Sequence, residues 1–338
     1  AVEAAHAGEE GILVRQDRIR HSYPFCYRTG TPLIYKAIPT WFVKVNPEKM
    51  VAENESIHWV PEYVGARRFG NWLGGARDWA ISRNRYWGSC IPVWRCEQGE
   101  SAEGMGSIDQ LADRSGVRLT DLHKHIVDPV TFPCRECAGT MERVPEVLDC
   151  WFESGSMPYG QVHYPFENRE RFEATFPAQF IAEGLDQTRG WFYTLHVLAT
   201  SLFDRPSFQN CVVNGMILAE DGRKMSKSLK NYPDPNEIFD DLGADALRAF
   251  LINSPVLRAE PLRFSKDGVR EVVRTVLLPL WNTYSFFTTY AEADGISLAD
   301  LESAPAVSDR PEIDRGVLPV LPTPISHVNT PMEGYHLY

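Results

Sequence analysis

The 338-residue sequence has no long apolar run. Its best candidate, residues 272–287, is broken by Arg274, Pro279 and Asn282, so nothing approaches the roughly 18 apolar residues that a membrane-spanning helix needs. It has no internal repeat, no low-complexity tract and no signal-peptide pattern, and it begins at Ala1 without Met, with adjacent glutamates at positions 9 and 10. Basic residues are outnumbered, 34 Lys+Arg against 45 Asp+Glu, for a net charge of −11. That balance excludes a protein that coats nucleic acid by bulk charge and leaves room only for local basic sites. The cysteines number seven, which is odd. Without a secretory signal, this argues against a disulfide framework and for a reducing cytosol. What is present is ordinary globular material: 43% hydrophobic and 23% charged residues, enough to bury a core and to exclude a disordered chain, a coiled coil and a collagen. At about 150 residues per domain, the length suggests two domains.

Local patterns give an α/β chain. Residues 11–14 (GILV) and 37–45 (AIPTWFVKV) read as short strands. Asn46-Pro47 reads as an N-cap with proline at the first helical position. Residues 65–76 and 108–122 read as helices. The polar stretch 97–133, closed by Cys134-Arg-Glu-Cys137, reads as an insertion rather than core. Residues 179–182 form an apolar strand ending in Glu183-Gly184, and 186–203 follow with helical apolar spacing. This strand, glycine turn and helix is the unit that places a ligand at the carboxyl end of a parallel strand. Residues 211–218 read as a second strand, closed by the turn Glu220-Asp221-Gly222. Helices are expected at 235–241, 244–253 and 268–291, the last with a proline kink, and the chain is expected to become all-helical after about residue 255.

Three constellations carry chemistry. Lys224-Met-Ser226-Lys227-Ser228 follows the Asp221-Gly222 turn and so lies in a loop. Arg223, Lys224, Lys227 and Lys230 gather four cations within eight residues of an acidic protein. Ammonium groups with interleaved hydroxyls suit a polyphosphate, although such a loop also suits a merely solvated turn. Glu183, Gly184, Asp186 and Gln187 occupy the strand-to-helix turn. Glycine there lets a ligand approach the backbone, and the acids suit either a ribose or amino group or the capping of the helix. Residues 78–88 (DWAISRNRYWG) combine arginines with aromatics, able to contact nucleic acid or line a pocket, and equally suited to core packing with surface arginines. Cys134 and Cys137 have metal-ligand spacing. Cys96 offers a third thiolate, and Gly99, where its Cys-x-x-Cys partner would stand, cannot ligate. A closed zinc site wants four ligands, so these cysteines suit either a zinc site or a turn with free thiols.

The set SRNRYWG, GLDQTRGWF and KMSKS, in that order, with NGMILAEDGRKMSKSLKNYPDP and LDCWFESGSMPYG, closely resembles the isoleucyl-tRNA synthetases of class I over about residues 1–315. The resemblance implies the second half of a Rossmann-like catalytic domain, at residues 41–255. It implies a small zinc-knuckle-like insertion at about 90–145 and the start of an all-helical anticodon-binding domain at 256–315. Residues 1–40 resemble the exit of the editing insertion. It also implies ATP-dependent activation of L-isoleucine to isoleucyl-adenylate, then transfer to isoleucine tRNA, in a cytoplasmic enzyme that is a monomer when full length. Lys224, Ser226, Lys227 and Ser228 would steady the ATP phosphates. Glu183, Gly184, Asp186 and Gln187 would meet the adenylate, and Trp191 would wall the side-chain pocket. ATP and Mg²⁺ are the implied cofactors, with Zn²⁺ at Cys96, Cys134 and Cys137.

The sequence also departs from that family. No His-x-Gly-His occurs among its nine histidines, and most of the editing insertion is absent. One methylene separates isoleucine from valine, worth only about 1–3 kcal/mol, so discrimination in such an enzyme needs the editing site as well. Residues 316–338 are proline-rich where an amphipathic helix is expected, as a frame shift or spliced end near Gly316 would produce. With the absent Met, this reads as truncation. The alternatives are a non-catalytic tRNA- or protein-binding module on the same fold and another nucleotidyl-transfer enzyme.

Overall fold

The computed structural model describes residues 17–18, 20–26, 29–34, 36–226, 229–303, 305–318, 320, 328, 329 and 332. The strand expected at 11–14 and most of the proline-rich tail lie outside these. The chain divides into two units, 1–40 and 41–338. In the first, a tight turn brings Phe25 opposite Pro32, with the Cys26 N–H on the Thr31 carbonyl (2.8 Å) and Gly30 at φ +66. A positive φ is what glycine supplies at a turn.

In chain order, the strands of the second unit are β1 (Phe42–Val43), β2 (His58–Val60), β3 (Trp79–Ala80), β4 (Ser82–Arg83), β5 (Val93–Cys96), β6 (Ala102–Gly104), β7 (Phe132–Pro133), β8 (Thr140–Arg143), β9 (Val147–Leu148), β10 (Ile181–Gly184), β11 (Asn210–Asn214), β12 (Ile217–Leu218) and β13 (Leu262–Arg263). The central sheet is parallel, in the order β10-β11-β2. Cys211, Val212 and Val213 of β11 are all buried, as a parallel strand covered on both faces requires. The Trp191–Phe203 helix buries Phe192 to Thr200 without a break. It packs with Met50, Trp59, Phe69 and Phe208 into the main core. Asn46 caps the Pro47–Asn54 helix, its side-chain oxygen accepting from the Lys49 N–H at 3.1 Å, with Pro47 in the first turn as expected.

The insertion is a separate antiparallel sheet, β6-β5-β8-β7, over its own core of Trp94, Met105, Leu111, Phe132 and Met141. Its helix is shorter than the expected 108–122: it runs Ile108–Ser115 and stops at Gly116, φ +73, a left-handed C-cap. The expected strand 37–45 is confined to Phe42–Val43, and the expected strand 211–218 breaks at Gly215-Met216 into β11 and β12. The region after 255 is not purely helical, because β13 pairs in parallel with β12. The helix expected at 268–291 is Lys266–Val272, a widened π turn at Val273–Leu277, then Leu278–Ala293. The widened turn precedes Pro279, whose ring would clash with the carbonyl four residues back in a regular helix. The Glu312–Val317 helix passes one residue beyond Gly316. Among the described residues, no helix is long and apolar enough to cross a membrane.

Candidate functional site

The site grows from the carboxyl ends of two neighbouring parallel strands. Glu183 and Gly184 end β10, with Gly184 in register with Asn214 at the end of β11. The segment then enters a 3-10 turn, Leu185–Arg189, and only afterwards the Trp191–Phe203 helix. The helix therefore begins at Trp191, not at Asp186 as the apolar spacing suggested. Thr188 makes the turn possible. Its fully buried hydroxyl donates to the Leu185 carbonyl (2.8 Å) and accepts from Arg68 Nε (3.2 Å).

Glu183 and Asp186 are exposed at the mouth of this turn. The Asp186 carboxylate folds over Gly184, where an added Cβ would lie 2.7 Å from its Oδ1. That position is glycine because side chain and backbone share one space. Gln187 is the helix cap: its Oε1 accepts the Trp191 N–H at 2.9 Å, and its Nε2 donates to Asp186 Oδ2 at 3.3 Å. Capping was one of the two roles open to the acids; the neutral amide does it, leaving both carboxylates exposed. Trp191 is half-buried, held by its indole N–H on the Ser154 carbonyl (3.1 Å).

The basic loop springs from β12. Leu218 bridges Lys224, and the Ala219 N–H bonds the Arg223 carbonyl (2.9 Å) around Gly222, φ +82. Asp221 binds Arg223 through its backbone N–H (2.9 Å) and its guanidinium (2.6 Å). Those bonds hold the Asp221 carboxyl below the ordinary carboxylate range. Arg223 is thus partnered within the turn, while Lys224 and Lys230 are exposed. Asn231 clamps the loop: its Oδ1 accepts the Ser226 N–H (2.8 Å) and its Nδ2 donates to the Lys224 carbonyl (3.1 Å). The sequence reading passed over Asn231, and only the pair of contacts five and seven residues away reveals its role. Lys227 and Ser228 lie outside the described residues.

The Asp78–Gly88 motif divides. Asp78 and Ser82 bind the backbone of Val45 (3.1 Å) and Trp41 (2.9 Å), and Arg83 pairs with buried Asp149 at 2.6 Å. These residues are structural. Arg85, Tyr86 and Trp87 are exposed, and Trp87 stacks on His123 at 4.8 Å. Arg85 and Trp87 line a cleft of about 1490 Å³ with His123, Cys150 and Glu153.

Cys96 closes β5, and Cys134 and Cys137 lie in the β7–β8 turn. Their three sulfurs come within 4.8 Å of one another. Tetrahedral zinc with Zn–S near 2.3 Å separates its sulfurs by about 3.8 Å, so the three thiols fit a zinc ion after a slight opening of the 3.3 Å Cys96–Cys137 pair. Among the described residues, no histidine, carboxylate or fourth cysteine joins them. The Glu136 N–H on the Cys134 sulfur (3.4 Å) pulls that thiol below its ordinary value, which favours the ligating thiolate.

Parallel strands that end in an acidic, glycine-bared turn, with a clamped basic loop further along the chain from the neighbouring strand, define an α/β domain of the kind that takes ligands at strand carboxyl ends. The family model for tRNA synthetases class I (I, L, M and V) matches residues 7–263, and the chain belongs to that family. It is 58% identical over 289 residues to the isoleucine–tRNA ligase of Treponema denticola, covering 85% of this chain and 26% of that protein. It is 53% identical over 335 residues to the cytoplasmic isoleucine–tRNA ligase of Mus musculus, covering 98% of this chain and 26% of that protein. Among solved structures, LeuRS of Agrobacterium radiobacter, in a ternary complex with tRNA and LeuAMS, shares the fold. Its TM-score is 0.55 at 24% identity, over 77% of this chain and 34% of that one. The chain spans about a quarter of the length of these two curated relatives.

Proposed function

We propose that this chain supplies the second half of the catalytic domain of an isoleucine–tRNA ligase. The whole cytoplasmic enzyme, a monomer, would join L-isoleucine to ATP as isoleucyl-adenylate and pass the isoleucyl group to isoleucine tRNA. The strongest support is the register of Glu183-Gly184 at the end of β10 with Val213-Asn214 at the end of β11, the strand from which the chain runs through β12 into the loop clamped by Asn231. Beside it stands 58% identity to an isoleucine–tRNA ligase.

On this reading, Lys224 and Lys227 neutralise charge on the ATP phosphates as the carboxylate attacks, and Ser226 and Ser228 donate hydrogen bonds to their oxygens. Mg²⁺ accompanies ATP and supplies further charge neutralisation. Catalysis is then chiefly positioning and preorganised charge. Glu183 receives the amino group of the amino acid, and Asp186 lies on the ribose side. Gly184 leaves room for the ligand. Gln187 acts by holding Asp186 and the helix start, and Trp191 walls the side-chain pocket. Residues 90–145 form a knuckle whose Cys96, Cys134 and Cys137 would hold Zn²⁺. The helices from about residue 256 begin the anticodon-binding domain.

The test is isoleucine-dependent ATP–pyrophosphate exchange, with the upstream catalytic half of a full-length relative supplied in trans. Exchange is expected, and Lys227→Ala should slow it far more than it weakens isoleucine binding. A folded complex without exchange would end the reading. Native mass spectrometry should find close to one zinc per chain, and its absence would remove the metal alone.

A further inference from the structure

The three thiols are unequal. Cys96 is 6% exposed and Cys134 9%, while Cys137 is exposed to solvent. The sulfurs of Cys96 and Cys137 are already in contact at 3.3 Å, and about 1.3 Å of closure would bring them to a disulfide length near 2.0 Å. Cys134 lies within 4.8 Å of both, its sulfur also accepting the Glu136 N–H at 3.4 Å. Gly139 makes the contact possible, because a Cβ there would lie 2.8 Å from the Cys96 sulfur and 3.2 Å from that of Cys137. The two cysteines stand at the tips of separate hairpins, Cys96 at the end of β5 and Cys137 between β7 and β8, 41 residues apart.

We propose that Cys137 and Cys96 form a peroxide-sensitive dithiol in which exposed Cys137 is the oxidised residue and buried Cys96 the resolving one. The Cys137 sulfur attacks a hydroperoxide and gives up its proton, the O–O bond breaks, and sulfur loses two electrons to become a sulfenic acid as water leaves. The Cys96 sulfur then attacks the Cys137 sulfur. A disulfide forms, the S–O bond breaks, and the oxygen departs as water. In sum, two thiols and one hydrogen peroxide give one disulfide and two waters. Access and proximity favour the pair: of the three thiols Cys137 is the exposed one, and the Cys96 sulfur lies 3.3 Å from it. The disulfide would tie the two hairpin tips together and withdraw two of three thiolates, so a metal and this cross-link exclude each other. The dithiol does not depend on the zinc reading, since a chain that binds no zinc presents the same sulfur contact.

The experiment treats the purified, chelator-washed full chain with limited hydrogen peroxide, caps free thiols, digests with trypsin and maps the products. Cleavage after Arg95, Lys124 and Arg135 puts Cys96, Cys134 and Cys137 on different peptides, so each pairing is distinguished directly. The expected product joins the Cys96 and Cys137 peptides with loss of two hydrogens, and dithiothreitol reverses it. It persists in Cys134→Ser and is abolished in Cys137→Ser, where Cys96 stays reduced. A main product linking Cys134 to either partner would overturn the inference. So would oxidation of Cys137 to sulfinic acid without any cross-link in the unmodified chain, a result that needs no variant to fold.

Discussion

Replacing Gly215 with alanine probes how the basic loop is held in place. Gly215 joins β11 to β12 and packs directly on the 255–260 turn. A Cβ there would lie 1.8 Å from the Glu260 carbonyl oxygen, 2.5 Å from its carbon and 2.7 Å from its nitrogen. Ordinary contact begins at 3.4 Å, so backbone must move by about 1.6 Å. No side chain can swing away, which puts the clash near the top of the about 1–3 kcal/mol typical of overpacking. Moving that turn also endangers the Gly215 N–H bond to the Val256 carbonyl (2.7 Å), worth about 0.5–1.5 kcal/mol. Against this stands the entropic benefit of removing a glycine, about 0.4–1 kcal/mol, which is too small to win. The expected loss is about 3 kcal/mol, or roughly a hundredfold in an opening equilibrium. The reporters are the amides of Leu262 and Phe264, which donate to Met216 and Leu218 across β12–β13 at 2.9 Å each. Hydrogen exchange there should quicken about a hundredfold, with Cys211 to Val213 less affected. Unchanged protection together with an unchanged denaturation midpoint would refute the reasoning.

Other expectations concern the core, the insertion and acid stability. Trp59→Ala removes a buried ring that meets Phe69 (5.0 Å), Phe192 (5.8 Å) and Phe208 (5.9 Å) and leaves Asn54 Oδ1 without its indole donor. It should lose about 3–5 kcal/mol in denaturant unfolding, and a loss under about 1 kcal/mol would sink this account of the core. Arg143 has a fully buried side chain bonded to Asp128 and to the Glu146 carbonyl (2.9 Å). Arg143→Ala should destabilise the insertion by about 3–5 kcal/mol and speed alkylation of buried Cys96, which should otherwise stay slow. Burial holds the imidazole of His196 below its ordinary value, against the opposing pull of the Met50 carbonyl and Glu53. The folded chain keeps it neutral while the unfolded chain takes up a proton near pH 6.5. This contribution to stability is therefore complete above pH 6.5 and falls by about 1.4 kcal/mol per pH unit on acidification, until the native group also titrates. His196→Gln should flatten the acid limb of the stability profile by that slope, and identical slopes in both proteins would exclude the assignment.

Short-range chemistry was legible in the sequence because it is settled within a few residues. Asn46-Pro47 starts a helix through one side-chain bond and one fixed φ, and Asp221-Gly222 turns the chain because only glycine accepts φ +82 cheaply. Lys224 to Ser226 follow that turn outside any helix or strand, as expected, and the strand before Glu183-Gly184 was found to within two residues. Lengths were less legible. The helix at 108 stops seven residues early because Gly116 takes a left-handed conformation that apolar spacing does not register. The helix at 186 begins five residues late because Thr188, buried against Arg68, stabilises a 3-10 turn instead.

Sequence alone thus determined which residues could do chemistry, and where the chain must turn, cap or bare its backbone. These follow from covalent geometry and from bonds between near neighbours. Tertiary structure alone decided which of those residues work together. It brought Cys96 to Cys137 across 41 positions, gave helix capping to Gln187 rather than to the acids, and made Asn231 the clamp of the basic loop. The first depends on a distance closed by a buried core of residues far apart along the chain, Trp94, Phe132 and Met141, and the other two on which of several nearby side chains the folded backbone turns inward. Periodicity and motif spacing carry no record of either.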